Sequence, residues 1–294
     1  MTSTAWLFPG QGSQQVGMAQ QLYEDNSGVR ELFAEASERT GLDIVHLCFE
    51  GPADALQRTE YAQPCLLTAS IAYGRALEAR GLTPDVVAGH SLGEYSALVQ
   101  AGVLTFGDAA YAVHRRGRLM AEAKSGAMAA ILGLDDAAVE RACADAVDVV
   151  PANYNAPGQV VISGSPEGVS RASAAARELG ATRVVLLKVS GAFHSPFMRP
   201  VALELARTLS TLHFAAARMP VICNVDGAKH IAAEDFPPLL ARQVAEPVRW
   251  SAVMQGLLSE GVSHCVEVGP GRVLSGLMRQ MDRSVASVSA ASLL

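Results

Sequence analysis

The fold is decided by the stretch Val86-Val87-Ala88-Gly89-His90-Ser91-Leu92-Gly93-Glu94-Tyr95. Residues 85–89 form a short stretch that is apolar after Asp85 and contains two β-branched valines, as is typical of a buried strand, and apolar residues recur at helical spacing after the turn until Gly102. Ser91 therefore lies between a strand and a helix, flanked by two glycines that add no bulk to a tight turn. This Gly-x-Ser-x-Gly arrangement is typical of a nucleophile elbow, which exposes the serine oxygen at a helix N-terminus. There the amide of Leu92 and the helix dipole can stabilise an oxyanion.

Length, composition and charge limit the class of protein. The chain has 294 residues, half of them apolar, and a formal net charge of −6. It can therefore bury the core of one large domain or of a domain with an insertion. The acidic balance argues against nucleic acid as the main partner, because phosphate binding needs a basic face. No stretch approaches the ~20 consecutive apolar residues of a membrane span, and the first residues lack a basic segment, so we expect no membrane partner, no signal peptide and a cytoplasmic location.

The cysteines and the glycine-rich N-terminal loop carry weaker signals. The five cysteines are scattered and include no Cys-x-x-Cys, so they indicate buried thiols rather than a disulfide framework or a zinc site. Residues 5–8 are predicted to form a strand that ends at the loop Pro9-Gly10-Gln11-Gly12-Ser13-Gln14. This loop lacks the spacing of nucleotide-binding loops. Its glycines would let backbone amides approach a ligand, as an oxyanion donor or an acyl cradle.

The N-terminal part of the chain predicts an α/β arrangement. Helical spacing of apolar residues extends over residues 20–39 and 61–80, and the second helix leads directly into the elbow strand. The order strand, helices, strand, elbow, helix is typical of an α/β domain whose site lies at the carboxyl ends of the strands. A further helix, residues 105–123, carries Arg116 among three closely spaced arginines, whose ordinary role would be a solvated helix face.

Residues 125–190 are predicted to form a small subdomain inserted into the larger one. Strand and helix patterns alternate there in the ferredoxin-like order β-α-β-β-α-β. The predicted elements are strand 127–134, helix 135–146, strand 147–152, strand 159–164, helix 166–179 and strand 182–189. The segment Asn153-Tyr154-Asn155-Ala156-Pro157-Gly158 has the composition of a turn. The larger subdomain would then be discontinuous and consist of residues 1–124 and 191–294.

The last part of the chain returns to this larger subdomain. Its predicted elements are a loop 191–196, a helix to about residue 212, strand 220–223, helix 235–244, strand 264–268 and a closing helix to residue 281. His194 is a catalytic candidate, because loops between strands and helices often hold catalytic groups. Asp226, Glu246 and Glu267 could orient a catalytic histidine, although loop solvation is their commoner role.

Six motifs together resemble the malonyl-CoA:acyl carrier protein transacylases over almost the whole chain. They are Gly10-Gln11-Gly12-Ser13-Gln14, Gly89-His90-Ser91-Leu92-Gly93-Glu94, Gly126-Ala127-Met128, Asn153-Tyr154-Asn155-Ala156-Pro157-Gly158-Gln159, Gly191-Ala192-Phe193-His194-Ser195 and Pro247-Val248-Arg249-Trp250. Six motifs in this order are far more specific than the elbow alone. The resemblance implies an α/β fold that combines an α/β-hydrolase-like large subdomain with an inserted ferredoxin-like (βαββαβ) small subdomain.

The resemblance also implies catalytic roles. Ser91 would be the nucleophile and His194 its general base, with backbone carbonyls rather than a carboxylate orienting the imidazole. The backbone amides of Gln11 and Leu92 would form the oxyanion hole. The resemblance also implies that no metal and no cofactor are needed. Malonyl-CoA would be the substrate. Its partner is an acyl carrier protein of fatty acid or polyketide synthesis.

Three further residues match the family's substrate-binding positions. Arg116, picked out by the Arg-Gly step that follows it, would pair with the malonyl carboxylate, and Gln243 would line the site. Phe193 stands where relatives that prefer malonyl carry a bulky aromatic residue. Glu246 departs from the pattern, since relatives often have a neutral polar residue there.

Three functions are weighed on this basis. The first is a transferase that moves malonyl from coenzyme A to Ser91 and then to the phosphopantetheine thiol of an acyl carrier protein. The second is a hydrolase that frees acyl groups from carrier-bound thioesters with the same serine and histidine. Arg116 separates the two, because an enzyme for uncharged acyl chains gains nothing from a buried cation that is costly to leave unpaired. The third is a non-catalytic scaffold for carrier proteins, which would not need these three residues together.

Overall fold

Two β-sheets with helices around them make up a mixed α/β fold in a computed structural model, which describes residues 3–123, 126–189 and 191–294. The strands of the described residues are β1 (Ser3–Phe8), β2 (Val86–Gly89), β3 (Ala127–Leu132), β4 (Val149–Ala156), β5 (Gln159–Gly164), β6 (Arg183–Leu186), β7 (Val221–Ile222), β8 (Lys229–His230), β9 (Val262–Glu267) and β10 (Ala286–Ser289). The helices are α1 (Gln20–Asp25), α2 (Ser27–Thr40), α3 (Ile44–Phe49), α4 (Ala53–Gln57), α5 (Thr59–Ala79), α6 (Gly93–Gln100), α7 (Phe106–Glu122), α8 (Asp136–Ala144), α9 (Pro166–Glu178), α10 (Arg199–Leu209), α11 (Phe236–Gln243), α12 (Trp250–Ser259) and α13 (Val273–Met281). Short 3-10 turns cover Pro196–Met198, Ala233–Asp235 and Ala290–Ser292.

The first sheet has six strands in the order β10-β9-β1-β2-β7-β8. Its neighbours pair in parallel except β7 and β8, which are antiparallel. Along β1, Trp6 and Phe8 enter the core on one face of the sheet, while Ala5 and Leu7 enter the core on the other. Parallel strands covered on both faces have continuous apolar sequences, which is why β1 and β2 are recognisable from their residues.

The second sheet has four antiparallel strands in the order β4-β5-β3-β6. It has a separate apolar core with helices α8 and α9, to which Ile131, Val139, Ile162 and Val169 belong. Side chains cap both helices at their first turns, since Asp135 accepts from the amide of residue 138 and Ser165 from that of residue 168. The strand order along the chain agrees with the predicted one.

The predicted helix over residues 20–39 is wrong, because the structure divides it into α1 and α2. Asn26 ends α1 in an extended conformation, and its side-chain oxygen accepts hydrogen bonds from the amides of Gly28 and Val29. An asparagine in this position favours a new helix start over continuation of the old helix. The sequence also did not indicate the short helices α3 and α4.

The predicted turn over residues 153–158 is too long. Strand β4 continues to Ala156, so only Pro157 and Gly158 connect it to β5. The strand continues because residues 152–154 also exchange backbone hydrogen bonds with Val248 on their other side. Pairing on both edges outweighs the weak strand preference of asparagine.

The remaining predicted elements are present, with bounds that differ by a few residues. Thr105 caps α7, because its side-chain oxygen accepts from the backbone amide of Asp108. The Ser/Ala-rich tail, for which no element was predicted, adds β10 to the edge of the first sheet beside β9. All five cysteines are buried free thiols. None of the helices formed by the described residues has the length and apolar character to cross a membrane.

Candidate active site

The turn after β2 forms a sharp elbow around Ser91. Ser91 has a φ of 51°, a left-handed conformation that is strained for a residue other than glycine. The glycines on either side are required by close backbone approach. A Cβ atom on Gly89 would lie 1.9 Å from the carbonyl oxygen of Gly93, and a Cβ atom on Gly93 would lie 2.0 Å from that of Phe8. The elbow therefore fits closely against the end of β1, as the Gly-x-Ser-x-Gly pattern predicted.

His194 contacts the hydroxyl of Ser91 directly. Its Nε2 lies 2.8 Å from Ser91 Oγ, and its Nδ1 lies 2.7 Å from the backbone carbonyl oxygen of Gln243. A carbonyl only accepts hydrogen bonds, so we assign the proton of the neutral ring to Nδ1 and the lone pair to Nε2. Nε2 can therefore accept the serine proton. Of the residues that the structure describes, Gln243 contacts Nδ1 through its backbone carbonyl and no carboxylate does so, as the resemblance implied.

The environment of His194 keeps its ring uncharged. The residue is buried, and it too has a positive φ, 56°, with its amide donating to the carbonyl of Val244 at 3.1 Å. Burial lowers the pKa of His194 to about 3, and the nearby charge of Arg116 acts in the same direction. The imidazole is therefore neutral at any physiological pH, which a proton acceptor requires.

Arg116 is a buried cation beside the same hydroxyl. It is 1% exposed, and its Nη2 donates to Ser91 Oγ at 3.0 Å and to Gln243 Oε1 at 3.0 Å, while its Nη1 donates to Gln63 Oε1 at 2.7 Å. Among the described residues no carboxylate forms a salt bridge with it, and its Nε has no hydrogen-bond partner. Burial lowers the pKa of Arg116, but a guanidinium keeps its charge because its ordinary pKa lies far above neutrality.

The glycine after this arginine explains why Arg116, among its neighbours, reaches the site. A Cβ atom on Gly117 would lie 2.9 Å from the carbonyl oxygen of Thr59 and 3.0 Å from the Cα atom of Glu60. The absent side chain lets α7 approach the start of α5, so that Arg116 is directed inward. Arg118, by contrast, is exposed and forms a 3.7 Å surface ion pair with Glu122.

Gln243 and Asn224 hold the main chain of the elbow. The side-chain Nε2 of Gln243 donates to the backbone carbonyl of Ser91 at 2.9 Å, and the backbone N–H of Ser91 donates to Asn224 Oδ1 at 2.6 Å. Asn224 Nδ2 donates in turn to the carbonyl of Gly89 at 2.7 Å. Backbone strain at an elbow persists only where the surroundings fix it, and these side-chain contacts do so.

The buried carboxyl of Glu94 holds the backbone of Asn224. Its Oε2 accepts from the backbone amide of Asn224 at 2.9 Å, and its Oε1 has no partner among the described residues. Burial raises the pKa of Glu94 to about 7, against the opposing effect of the Asn224 amide. The carboxyl is part of the framework of the elbow and does not touch His194.

These groups border a cavity of about 300 Å³. Its lining includes Gln11, Ser91, Leu92, Arg116, Phe193 and His194. It adjoins a wider recess of about 590 Å³, and the two spaces share the lining residues Gln11, Gln57, Lys188, Val189 and Phe193. The cavity thus brings all but one of the predicted site residues to one space, and the remaining one, Gln243, contacts both Ser91 and Arg116.

The amides of Gln11 and Leu92 are free to bind an oxygen atom. None of the hydrogen bonds between described residues uses either N–H as donor, and both residues line the cavity that holds Ser91. Leu92 directly precedes α6. Two such amides beside a serine hydroxyl can stabilise the negative oxygen of a tetrahedral intermediate.

His90, the residue before the serine, also lines the cavity. Its Nε2 lies 2.9 Å from Asn155 Oδ1 on β4, and its ring packs 5.3 Å from that of Trp250. His90 therefore connects the elbow to the second sheet. Burial lowers the pKa of His90, which favours its neutral form.

The three acidic candidates do not orient His194. Glu246 pairs with Arg242 at 2.9 Å, Asp226 contacts His230 at 3.0 Å, and buried Glu267 accepts the first amides of α13. Within the described part of the chain, no cluster of three or more metal-ligating side chains is arranged to hold an ion.

Sequence reasoning missed Gln63, Asn224 and Glu94. Gln63 is fully buried within an apolar helix, a position where a polar residue needs a partner. Asn224 follows β7 at the carboxyl end of a parallel strand, the edge where α/β proteins place their sites, so its position alone was a usable signal. Glu94 lies in the elbow motif itself and was treated only as part of the helix.

Comparisons with known proteins identify the family. The chain matches the acyl transferase domain family over residues 5–294. It is 45% identical over 296 residues to the malonyl CoA-acyl carrier protein transacylase of Bacillus subtilis, covering 98% of this chain and 93% of that protein. The crystal structure of the malonyl-CoA:acyl carrier protein transacylase of Xanthomonas oryzae is 45% identical and superposes with a TM-score of 0.95, covering 99% of this chain and 96% of that one.

A third relative was solved with a partner bound. It is a malonyl-transacylase in complex with its type II PKS acyl-carrier protein, 42% identical, with a TM-score of 0.94 over 98% of this chain and 96% of that one. Matches of this identity and coverage decide the family. The chain therefore belongs to the acyl transferase domain family and, within it, to the malonyl-CoA:acyl carrier protein transacylases.

Proposed function

We propose that this protein transfers malonyl from coenzyme A to the phosphopantetheine thiol of an acyl carrier protein through an ester on Ser91. One observation carries the proposal most directly. A buried guanidinium, that of Arg116, lies 3.0 Å from a hydroxyl that also contacts a neutral histidine. The serine and histidine suit acyl transfer, and the cation suits an acyl group with a carboxylate.

In the first half-reaction the Oγ of Ser91 attacks the thioester carbonyl carbon while its proton moves to Nε2 of His194. The amides of Gln11 and Leu92 stabilise the resulting oxyanion. When the intermediate collapses, the carbon–sulfur bond breaks and coenzyme A leaves as a thiol with the proton held by His194. In the second half-reaction the carrier thiol gives its proton to His194, and its sulfur forms a bond to the carbonyl carbon of the serine ester. The carbon–oxygen bond to Ser91 then breaks, Ser91 Oγ takes the proton back from His194, and malonyl leaves as a thioester of the carrier.

Arg116 is assigned to the malonyl carboxylate. Its present acceptors are neutral oxygens, so among the described residues no carboxylate binds this buried cation directly, and the buried carboxyl of Glu94 acts on it only through space. An uncompensated buried charge is costly, and a planar carboxylate that accepts two parallel hydrogen bonds would compensate it. The partnerless Nε beside Nη2 can supply one of the two donors.

The same observation disfavours the hydrolase alternative. A thioesterase for uncharged acyl chains would have to desolvate this guanidinium against the chain without any compensating contact. The relatives compared above also carry transacylase names. A scaffold without catalysis would have no use for the contact between Ser91 and His194.

The partner and the path of the acyl arm follow from the same site. A carrier protein binds the related malonyl-transacylase in the complex described above. The wider recess beside the cavity gives an extended pantetheine arm a route to Ser91, with Phe193 at the boundary between the two spaces. Phe193 would thereby limit the bulk at the α-carbon of the acyl group.

The finer description of the fold is part of the proposal. We assign residues 1–124 and 191–294 to an α/β-hydrolase-like subdomain and residues 125–190 to a ferredoxin-like one. The separate core under the second sheet and its strand order support this division. The parallel order and the elbow after β2 support the first assignment.

Mass spectrometry of the intact protein tests the function. Mixed with malonyl-CoA, the wild-type protein should gain one malonyl group, and it should lose that group to an added holo-acyl carrier protein. Ser91→Ala should gain none, whereas Ser96→Ala, a matched change in the helix after the elbow, should behave as wild type. A malonyl adduct on Ser91→Ala would overturn the assignment, and release of free malonate in place of carrier loading would favour the hydrolase.

A further inference from the structure

A line of side-chain hydrogen bonds runs from Arg116 to the glycine-rich loop. Arg116 Nη1 donates to Gln63 Oε1 at 2.7 Å, and Gln63 Nε2 donates to Thr59 Oγ1 at 2.9 Å. Thr59 Oγ1 donates to Gln11 Oε1 at 2.8 Å. We refer to Arg116, Gln63, Thr59 and Gln11 as the relay. It links the two groups that would contact opposite ends of a bound malonyl thioester.

The arginine fixes the direction of every bond in the relay. A guanidinium can only donate, so Gln63 must present its oxygen to Arg116 and its amino group to Thr59. The hydroxyl oxygen of Thr59 accepts that bond, so its single proton is free to be donated to Gln11. Gln11 must therefore present its side-chain oxygen to Thr59. Each amide orientation therefore depends on the charged end, and such chains strengthen their members cooperatively.

The relay also fixes the loop that carries the proposed oxyanion donor. The side chain of Gln11 is held by Thr59 at the start of α5, while its backbone amide faces the cavity. The same loop is anchored a second time, because Gly12 donates to Gln14 Oε1 and Gln14 donates to Gln57 Oε1. The relay differs from this second anchor because it ends on Arg116, the proposed ligand of the substrate.

We infer that Thr59 and Gln63 are positioning residues that couple recognition of the acyl carboxylate at Arg116 to placement of the Gln11 amide; the inference rests on the proposed function. Among the described residues, all hydrogen-bond acceptors of Arg116 are neutral oxygens, those of Gln63, Ser91 and Gln243. A carboxylate on Arg116 fixes the plane of the guanidinium and holds Nη1 on Gln63. The relay then holds Gln11 where an oxyanion donor must be. An uncharged acyl group lacks this effect.

Thr59→Val tests the relay at its centre, because valine keeps the shape of threonine and removes both hydrogen bonds. We expect kcat/KM for Ser91 acylation to fall about fivefold to thirtyfold more for malonyl-CoA than for acetyl-CoA, mainly through kcat, as two hydrogen bonds allow. Thr59→Ser, which keeps the hydroxyl, should restore the wild-type ratio. The control is Thr68→Val, a buried threonine of the same helix that donates to the carbonyl of Pro64 at 2.8 Å.

A second variant, Gln11→Met, keeps the proposal testable if Thr59→Val fails to fold, and the double variant completes a double-mutant cycle. Gln11→Met retains the backbone amide and breaks the relay at its other end, in a loop residue that is only half-buried. It should reduce the malonyl-to-acetyl ratio as Thr59→Val does, and the double variant should reduce it no further, because the same line is already broken.

Equal loss for both acyl groups, additive effects in the double variant, or the same shift in Thr68→Val would each overturn the coupling. The two proposals fail in different ways. If the wild-type protein gains no malonyl group, the proposed function is wrong. If it gains one and the ratio does not change in Thr59→Val or Gln11→Met, only the relay is wrong.

Discussion

The reacting pair, Ser91 and His194, and the selecting pair, Arg116 and Phe193, share one cavity but are held differently. The reacting pair is fixed through its own backbone groups: both residues have positive φ, Ser91 is held at its N–H and carbonyl, and His194 at its N–H and Nδ1. The guanidinium of Arg116 is held only by side-chain oxygens.

Because of this difference, the groups that carry out acyl transfer are held independently of the groups that would select the acyl group. Groups fixed by main-chain contacts on a strained elbow cannot shift when the acyl group changes. A guanidinium held by two glutamines and a serine can exchange one acceptor for a substrate carboxylate. We therefore expect changes in the reacting pair to slow every acyl group alike, and changes in the selecting pair to alter the ratio between acyl groups.

Loss of the base should give the largest effect. His194→Ala removes the acceptor of the Ser91 proton, so acylation should slow by ~10²- to 10⁴-fold, the usual contribution of a general base. Rapid-quench mass spectrometry with malonyl-CoA and acetyl-CoA measures both rates. His264→Ala, at an exposed histidine, serves as the control. A loss confined to one acyl group would show that His194 also selects.

Removal of the buried cation comes next. Arg116→Ala leaves Ser91 and His194 in place and removes the partner of a desolvated carboxylate, so malonyl transfer should become less favourable by about 2–5 kcal/mol. Acetyl transfer should change little or rise. The measurement is the malonyl-to-acetyl ratio of acylation rates, with Arg115→Ala as the control. Equal losses for both acyl groups, or a larger shift in Arg115→Ala, would contradict the separation of the two pairs.

A smaller effect is expected at Phe193. This buried side chain lines the cavity directly before the base, and we expect it to crowd a methyl branch at the α-carbon. Phe193→Leu should therefore raise methylmalonyl transfer relative to malonyl, within the ~1–3 kcal/mol that one methyl group can provide. Phe197→Leu, at a half-exposed phenylalanine nearby, is the matched control. An unchanged ratio of the two specificity constants would place the selecting wall elsewhere.

The smallest expected effect is on the pH profile of acylation. This profile reports whether the charge of Arg116, in the selecting pair, changes the pKa of His194, in the reacting pair. A proton on Nε2 blocks the base, and the pKa of His194 is lowered to about 3, first by burial and then by the charge of Arg116. Acylation should therefore persist as the pH falls well below 6.5, the ordinary value for histidine. In Arg116→Ala the repulsion is gone, so the imidazolium is less unfavourable and the acidic limb should move to higher pH.

Acetyl-CoA is the donor for this profile, since it does not need Arg116. Arg115→Ala should leave the limb where it is in the wild-type protein. A limb that lies near pH 6.5 in the wild type, or that stays in place in Arg116→Ala, would show that the two pairs are electrostatically independent.

The sequence predicted the parts of the site that are local in the chain. The elbow is a continuous pattern of strand, turn and helix. Arg116 was singled out by the resemblance, through the Arg-Gly step that follows it, and the structure gives this step a physical reason, because the absent side chain of Gly117 lets two helices approach. The fold order was also recognisable, since both sheets consist of short apolar runs. Only the resemblance connected His194 to Ser91.

Contacts between distant residues could not be predicted. Asn224 binds the amide of Ser91 across 133 positions, and Gln63 meets Arg116 across 53. In the sequence each is one polar residue next to an apolar run, and no local preference says what it will contact. The length of β4 was missed for the same reason, because its second partner, Val248, lies far along the chain.

The close approach at Gly117 has a practical consequence for redesign of the enzyme. A single methyl group there would meet the backbone of α5, which cannot rotate aside as a side chain can, so α7 would have to move by a few tenths of an ångström. Arg116 directly precedes Gly117 on that helix and would move with it. Acyl preference in this chain is therefore also adjustable through helix spacing, and a mutant library confined to cavity residues would leave out a position that displaces the guanidinium without altering any cavity side chain.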